Sequence, residues 1–420
     1  MHGVCYSANT WADSMMTDAK SPEKTGQEAT TITADVAIVG GGLAGSIATA
    51  VLTRAGYRVA LIDKRAVYPE EFRVEKLAGQ QVEILRRLGL LDAFAKTACS
   101  FDAVLNVRRG KVVDVSRGAS YGLHYAPLVA IARRLIADPS CLIVDQVLNI
   151  TASDHLQQIT LASGNRVEAR VAILATGMAG AIPYALGIKR RVLVERHSLA
   201  FGFTIAPADG TEFAFPALTS YGERTVDGID YLSVFPVPGG MRANLFMFRD
   251  PNDPIMREIR REPKSTLLRL MPGLRQHLGD FKVTDRVQNW VMDLANVEGH
   301  LQPGIVLIGD AFQTSCPAAG TGVSRLLVDV ERLCTVYLPE WLKTDGMGTE
   351  KISAFYSDCD KIASDERAFR MAHFRRALTS GAGMQWDLRR RLHFLRRSLR
   401  HHLDSISPGW TTRVKEMLRA

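Results

Sequence analysis

Near the N-terminal end of the ordered pattern, apolar residues run continuously instead of alternating with polar ones. Asp35 to Val39 is a β-branched run that stops at Gly40-Gly41-Gly42. Gly45 to Ala55 follows as a helix of small and apolar residues, with Gly56 as its closing glycine. Arg58 to Ile62 is a second apolar strand, ending at Asp63. Together they predict a β-α-β unit of about 30 residues. Val36 to Thr53 carries no charge over 18 residues, a length that a membrane span would share. Its glycines, with a strand pattern before them and a helix pattern after, predict a buried strand–turn–helix instead.

Val74 to Leu88 has apolar residues at helical spacing and stops at Gly89, which predicts one helix; Pro127 to Leu135 predicts another. A strand over Cys141 to Val147, a hairpin turning at Ser163-Gly164-Asn165, and an apolar strand over Val171 to Ala175 come next. From about Ile188 to Val297 the pattern changes to alternation, as in Tyr231 to Val237 and Met241 to Phe248. That predicts a mostly antiparallel sheet. Gly304 to Ile308 returns to a buried strand, Gly322 to Leu338 is helical, and the chain beyond about Ala354 is helical. The expected architecture is α/β. A Rossmann-like domain over 34–187 and 298–340 holds an inserted substrate domain at 188–297. A helical basic C-terminal region spans 341–420, and a polar, disordered tail spans 1–33.

Composition changes this picture little: 46% apolar and 23% charged residues describe an ordinary globular chain. The six cysteines are scattered with no C-x-x-C pair, so neither a zinc site nor a disulfide framework is expected, and no metal. With no signal-peptide pattern, the expected location is the cytoplasm. Charge is more informative. The net charge is +8, and residues 366–420 alone hold thirteen Lys and Arg against four Asp and Glu. The basicity therefore belongs to the C-terminal segment.

Gly40-x-Gly42-x-x-Gly45 follows a strand, opens a helix, and is followed by an acid, Asp63, 23 residues after Gly40. Gly40 permits the turn, Gly42 admits phosphates to the backbone, and Gly45 lets helix and strand close together. The helix N-terminus then faces a pyrophosphate. Asp63, with Lys64 after it, stands where a ribose would be held, which favours NAD or FAD over NADP.

A second block separates those two. Gly309-Asp310-Ala311-Phe312-Gln313, then Pro317, Gly320-Thr321-Gly322 and a helix carrying Asp329, follows an apolar strand. This resembles the second FAD fingerprint of the single-component, aromatic-hydroxylase type of flavin monooxygenases. The resemblance implies a Rossmann-like FAD-binding domain with Asp310 on the ribityl chain and Pro317 beside the flavin ring. It also places Gly320, Thr321 and Gly322 at the pyrimidine edge and Arg73 against the pyrophosphate or flavin. It further implies transient NAD(P)H, O2, a C4a-hydroperoxyflavin, and hydroxylation of a small aromatic, polyketide-like or carrier-bound substrate.

Four positions depart from the pattern. Phe312-Gln313 replaces Ala-His, Thr176 replaces the aspartate of the middle motif, and Tyr125 stands where an arginine is common. They leave FAD binding expected and put the usual NAD(P)H handling in question. No catalytic residue emerges; His124, Tyr121, Tyr125, Tyr221, Tyr231 and His197 read as core or surface, and Cys316 as packing. Tyr231-Leu-Ser-Val-Phe235-Pro236 keeps the ends of a prenyl-chain reductase signature, which is the alternative reading. A flavin halogenase lacks support because Trp290 has no partner tryptophan, and a non-catalytic FAD-binding protein is the remaining reading.

Leu388, Leu392, Leu395, Leu399 and Leu403 recur at spacings of four and three among arginines, which predicts an amphipathic basic helix. The plain expectation docks its leucines on the body and leaves its basic face to solvent. The sharper one is peripheral contact with an anionic membrane surface or an acidic carrier protein. Nucleic acid is not expected, since no aromatic interleaving accompanies the charge.

Overall fold

The computed structural model describes residues 29–406. The expected N-terminal tail therefore lies outside the described residues over 1–28, and the first strand already begins at Thr31. The strand Thr31–Val39 pairs in parallel with Val59–Asp63 and with Arg166–Leu174. Leu142–Val144 and Ile305–Leu307 extend this parallel sheet at its two sides. Both faces are covered: Val36 and Ile38 pack towards the helices Leu43–Arg54 and Tyr125–Arg134, while Ala37 and Val39 join Ile62 and Leu174 on the other face. Double coverage is why these strands read as continuous apolar runs. The hairpin at Ser163–Asn165 forms as expected and adds Gln157–Leu161 and Val147–Thr151 to the same sheet. Among the described residues no helix is long and apolar enough to cross a membrane.

The second sheet has nine strands and is antiparallel apart from one parallel pair, Leu218–Tyr221 beside Cys99–Arg108. Besides strands from residues 189–298, it takes Val74–Ala78, Cys99–Arg108 and Lys111–His124 from the segment expected to belong to the nucleotide domain. One face packs Phe201, Phe203, Leu232 and Leu245 against short helices at 255–278. Alternation turns Thr219 and Tyr231 to the opposite face, towards the nucleotide domain.

Two expectations need correction. Val74 to Leu88 is not one helix: Val74–Ala78 is a strand, Gly79 turns with φ 54°, and the helix is Gln80–Arg87. Helical spacing in that window came from a strand and a helix in succession, and pairing with Lys111–His124 overrides the local pattern. The terminal helix Met384–Ile406 is also turned the other way. Arg390 is buried, Phe394 packs edge-on to Tyr221 at 5.2 Å, and Arg397 bonds Asp114, while the leucines face out. The last residues of the expected basic region, 407–420, lie outside the described residues.

The long helix Cys359–Ser380 is joined to the nucleotide domain by buried charge. Lys361 donates to Asp329 at 2.9 Å and to Asp365 at 3.1 Å, and Arg325 donates to Asp365 at 2.7 Å. Lys361, Asp329 and Arg325 are each 1% exposed, so each charge depends on the others. We expect Lys361→Met, which leaves the buried Asp329 carboxylate without its cation while Asp365 keeps Arg325, to cost about 3–5 kcal/mol in denaturant unfolding. A loss below about 1 kcal/mol would show that the cluster does not hold the helix.

Candidate functional site

The glycine segment Gly40–Gly45 covers the turn after the first strand and the first residues of the helix Leu43–Arg54. Gly40 takes φ 105°, and a side chain there would run into the Ala175 carbonyl. A Cβ on Gly45 would strike the Gly40 carbonyl oxygen. Gly42 differs: an added Cβ would meet only Tyr68, at 4.0 Å. Two of these glycines are thus required by the chain itself, and the third faces open space. The helix they open has no side-chain cap and no acid in its first turn. Its N–H groups and positive end are left for an anion.

Asp63 is turned into this loop. Its Oδ2 accepts the Gly41 amide at 2.6 Å and its Oδ1 the Arg65 amide at 2.8 Å, leaving lone pairs for ribose hydroxyls. Lys64 is exposed and has no hydrogen bond or ion pair among the described residues, so the structure does not draw it into the site. Arg133, which the sequence did not single out, donates to the Gly41 carbonyl at 2.7 Å and to Ala66 at 2.6 Å. It clamps the glycine loop to the segment after Asp63.

Arg73 pairs with Glu71 at 2.6 Å and donates to the Tyr68 hydroxyl at 3.1 Å. Its guanidinium lies 3.9 Å from the centre of the Tyr125 ring. Tyr125 thus provides the flat seat on which Arg73 is held beside the loop. Glu75 stands among Arg73, Asp310 and Glu71. Burial, opposed by Arg73 and aided by the two acids, pushes its carboxyl up to about 7.

The second fingerprint touches the first. Gly309 packs against Ala44 of the nucleotide helix, with 3.6 Å between Ala44 Cβ and the position a Gly309 Cβ would take. The Gly309 amide donates to Asp329 at 2.8 Å, and Arg190 donates to the Asp310 carbonyl at 3.0 Å. Pro317–Ala319 is a single turn fixed by the Tyr231 hydroxyl, which donates to the Ala318 carbonyl at 3.0 Å. Thr321 precedes the helix Gly322–Arg332, and its hydroxyl is buried with no partner. An orphaned hydroxyl beside a helix N-terminus suits a group with both acceptors and donors on one edge, as a flavin pyrimidine has. With the open space at Gly42, it shows that the residues present fit FAD.

The departures have structural reasons. Phe312 stacks on Tyr356 at 4.9 Å and lies 4.2 Å below the Lys361 ammonium, while the Gln313 carbonyl accepts Arg325 at 2.7 Å. Both therefore serve the buried charge cluster. Thr176 donates to the Ala179 carbonyl at 3.1 Å and closes its own turn. Elsewhere, His124 contacts the Pro238 carbonyl at 3.2 Å. His197 is enclosed by Phe248 and His373, where burial lowers its pKa to about 4. Cys316 reaches Ser198 at 3.4 Å, and Tyr121 packs against the first core.

A cavity of about 490 Å³ opens between Ala318-Ala319 and the second sheet. Tyr221 and Tyr231 line it, together with Lys76, Arg117, Arg375 and Arg397. Arg375 is fixed by Asp230 at 2.7 Å, and burial raises the Asp230 carboxyl above its usual range. Arg375 and Arg397 come from the C-terminal helices, a contribution that no local pattern announced.

Residues 33–199 match the family described as FAD binding domain. The chain is 23% identical over 331 residues to the 3-demethoxyubiquinol 3-hydroxylase of Escherichia coli, covering 72% of this chain and 79% of that one. Its fold is similar to that of p-nitrophenol 4-monooxygenase PnpA from Pseudomonas putida DLL-E4, with TM-score 0.70, 17% identity, and 87% and 93% of the two chains covered. Aklavinone-11 hydroxylase, solved with FAD and aklavinone, gives TM-score 0.64 at 17% identity, over 83% and 69% of the chains.

Two outcomes follow from the loop and from Glu75. Gly45→Ala should unfold at lower temperature even without cofactor. Gly42→Ala should melt within about 1 °C of the wild-type apoprotein and fail to take up FAD, a contrast that calorimetry and flavin absorbance would check. For Glu75, the unfolded chain, at its ordinary 4.5, sheds the proton before the folded one, near 7. Its contribution to stability is therefore complete below about pH 4.5 and is lost as pH rises through 7. Glu75→Gln and wild-type apoproteins should melt together near pH 4.5 and diverge by pH 8, the variant being roughly 2–4 °C more stable. Parallel curves across that range would contradict this.

Proposed function

We propose that this chain, an FAD-dependent oxidoreductase, acts as a single-component monooxygenase and hydroxylates a small ring substrate that carries an acidic oxygen. NAD(P)H is the reductant and O2 the oxygen source. One oxygen atom enters a C–H bond of the substrate and the other leaves as water, with two electrons from NAD(P)H and one proton balancing the reaction. Bound FAD supplies the activation of O2.

The chain's own residues bind, orient and exclude water. The Gly40–Gly45 loop and its helix would receive the pyrophosphate, and Asp63 the adenosine ribose. Arg73 would stand beside them, Asp310 at the ribityl chain, and Pro317 to Gly322 along the flavin. Tyr231 is a positioning residue, because its hydroxyl holds the Ala318 carbonyl and burial raises its pKa, keeping it protonated.

The observation that carries the substrate class is Lys76. It lines the cavity, burial lowers its pKa, and it has no carboxylate partner among the described residues. A half-buried ammonium without a counter-charge is costly until an anion meets it. A phenolate or carboxylate beside Lys76 and Arg375 would be stabilised, and a phenolate ring is also the more electron-rich target.

The test is the purified FAD-loaded protein, its NAD(P)H oxidation and O2 uptake followed with a panel of phenols, quinols and their methyl ethers. Free phenols should stimulate both. Lys76→Met should raise KM for them at least about tenfold while the flavin spectrum stays unchanged. A protein that takes up no FAD, or that saturates an isoprenoid double bond without consuming O2, would overturn the proposal.

A further inference from the structure

The terminal helix Met384–Ile406 presents an apolar stripe outward. Leu388, Leu395 and Leu399 are 55%, 53% and 52% exposed, and Met384, Leu392 and Leu403 are exposed with them. At 100° per residue these six fall within about 100° of one face. Arg391 borders that face on one side and Arg389, Arg396 and Arg400 on the other.

The helix is nevertheless firmly attached by its opposite face. Arg390 donates to the carbonyls of Leu378 at 3.2 Å and Gly381 at 2.9 Å. Arg397 donates to Asp114 at 2.9 Å and to the Tyr221 hydroxyl, and Arg108 lies 4.2 Å over the Phe394 ring. A helix that spends its buried face on arginines and shows water its leucines is reversed relative to an ordinary surface helix. A rim of arginines along an outward leucine stripe is the charge pattern of a helix lying in the plane of an anionic lipid surface. There leucines enter the acyl region and guanidinium groups reach the headgroups.

What lies beside the helix gives this orientation a purpose. A groove of about 1310 Å³ runs between the helix, the strand Lys111–His124 and the helix Cys359–Ser380. Its walls include Phe374, Leu378 and Leu392 together with the rim arginines Arg389, Arg396 and Arg400, so the groove opens along that edge of the stripe. Ser116, Arg117 and Arg397 line both this groove and the substrate cavity, so the two spaces adjoin across these three residues.

We propose that the terminal helix seats its leucine stripe in an anionic bilayer surface and so opens the groove, and the cavity behind it, towards molecules resident in that surface. The second part rests on the hydroxylase reading above; the first part does not.

The experiment is co-sedimentation of the FAD-loaded full chain with phosphatidylcholine vesicles, with and without about one-third phosphatidylglycerol. The full chain should bind the anionic vesicles and lose most of that binding at high salt. The variant L388E/L395E/L399E alters exposed positions, so it should keep its flavin spectrum and melting temperature while losing at least about tenfold in vesicle affinity. R391Q/R396Q should lose the preference for anionic vesicles. Equal binding by the triple variant would overturn the proposal. So would a wild-type chain that ignores vesicles and instead forms a dimer that the triple variant breaks. Vesicle binding seen only after removal of residues 407–420 would also overturn it, since the stripe would then belong to the chain's own tail. None of these readouts needs turnover, so failure of the hydroxylase reading would leave them interpretable.

Discussion

The carboxylate of Asp329 accepts the Gly309 amide with one oxygen and the Lys361 ammonium with the other, at 2.8 and 2.9 Å, in a place that water does not reach. The second half of the cofactor side leans on this arrangement. The amide bond fixes the start of the second fingerprint loop against Ala44 of the nucleotide helix. The ammonium brings the helix Cys359–Ser380 down onto that loop, and the same helix carries Arg375 to the cavity beside Ala318-Ala319. Phe312 and Gln313, which look foreign to a flavin loop, are the surfaces that receive Lys361 and Arg325. Loop, helix and cavity wall are thus a single electrostatic unit.

On the substrate side, the chain has placed cations where a neutral pocket would have been easier to bury. Arg375 and Arg397 are balanced by Asp230 and Asp114. Lys76 has no carboxylate partner among the described residues. The balanced arginines make a rigid wall, and the lysine is the cation of that wall that its own neighbours do not fix. Tyr231 connects the two sides, because its ring packs under Arg375 while its hydroxyl holds the loop beside Pro317.

The parallel sheet, the glycine loop and the second fingerprint were legible in the sequence because each depends on local pattern. Buried strands read as unbroken apolar runs, and tight turns read as glycine. What stayed hidden depends on contacts between distant segments. Val74–Ala78 looked helical because only its partner strand makes it a strand. Arg133 and Lys361 look like any surface cation until the fold shows their acceptors. Arg397 and Asp114, 283 residues apart, give no sign of each other in the chain. The terminal helix misled for a related reason: its amphipathic period was plain, but period alone does not say which face meets the body.

That separation along the chain has a consequence for how the protein comes into being. Residues 40–63, 309–322 and 361 must all be present before the cofactor loop is complete. The cavity also waits for Arg375 and Arg397. A ribosome delivers these parts in order, so the nucleotide helix exists long before its counter-loop is neutralised by Lys361. Contacts of such span make for slow, late assembly. The newborn chain would complete its flavin site only after Lys361 and the helix that carries it have been made, more than 300 residues after the first glycine of that site.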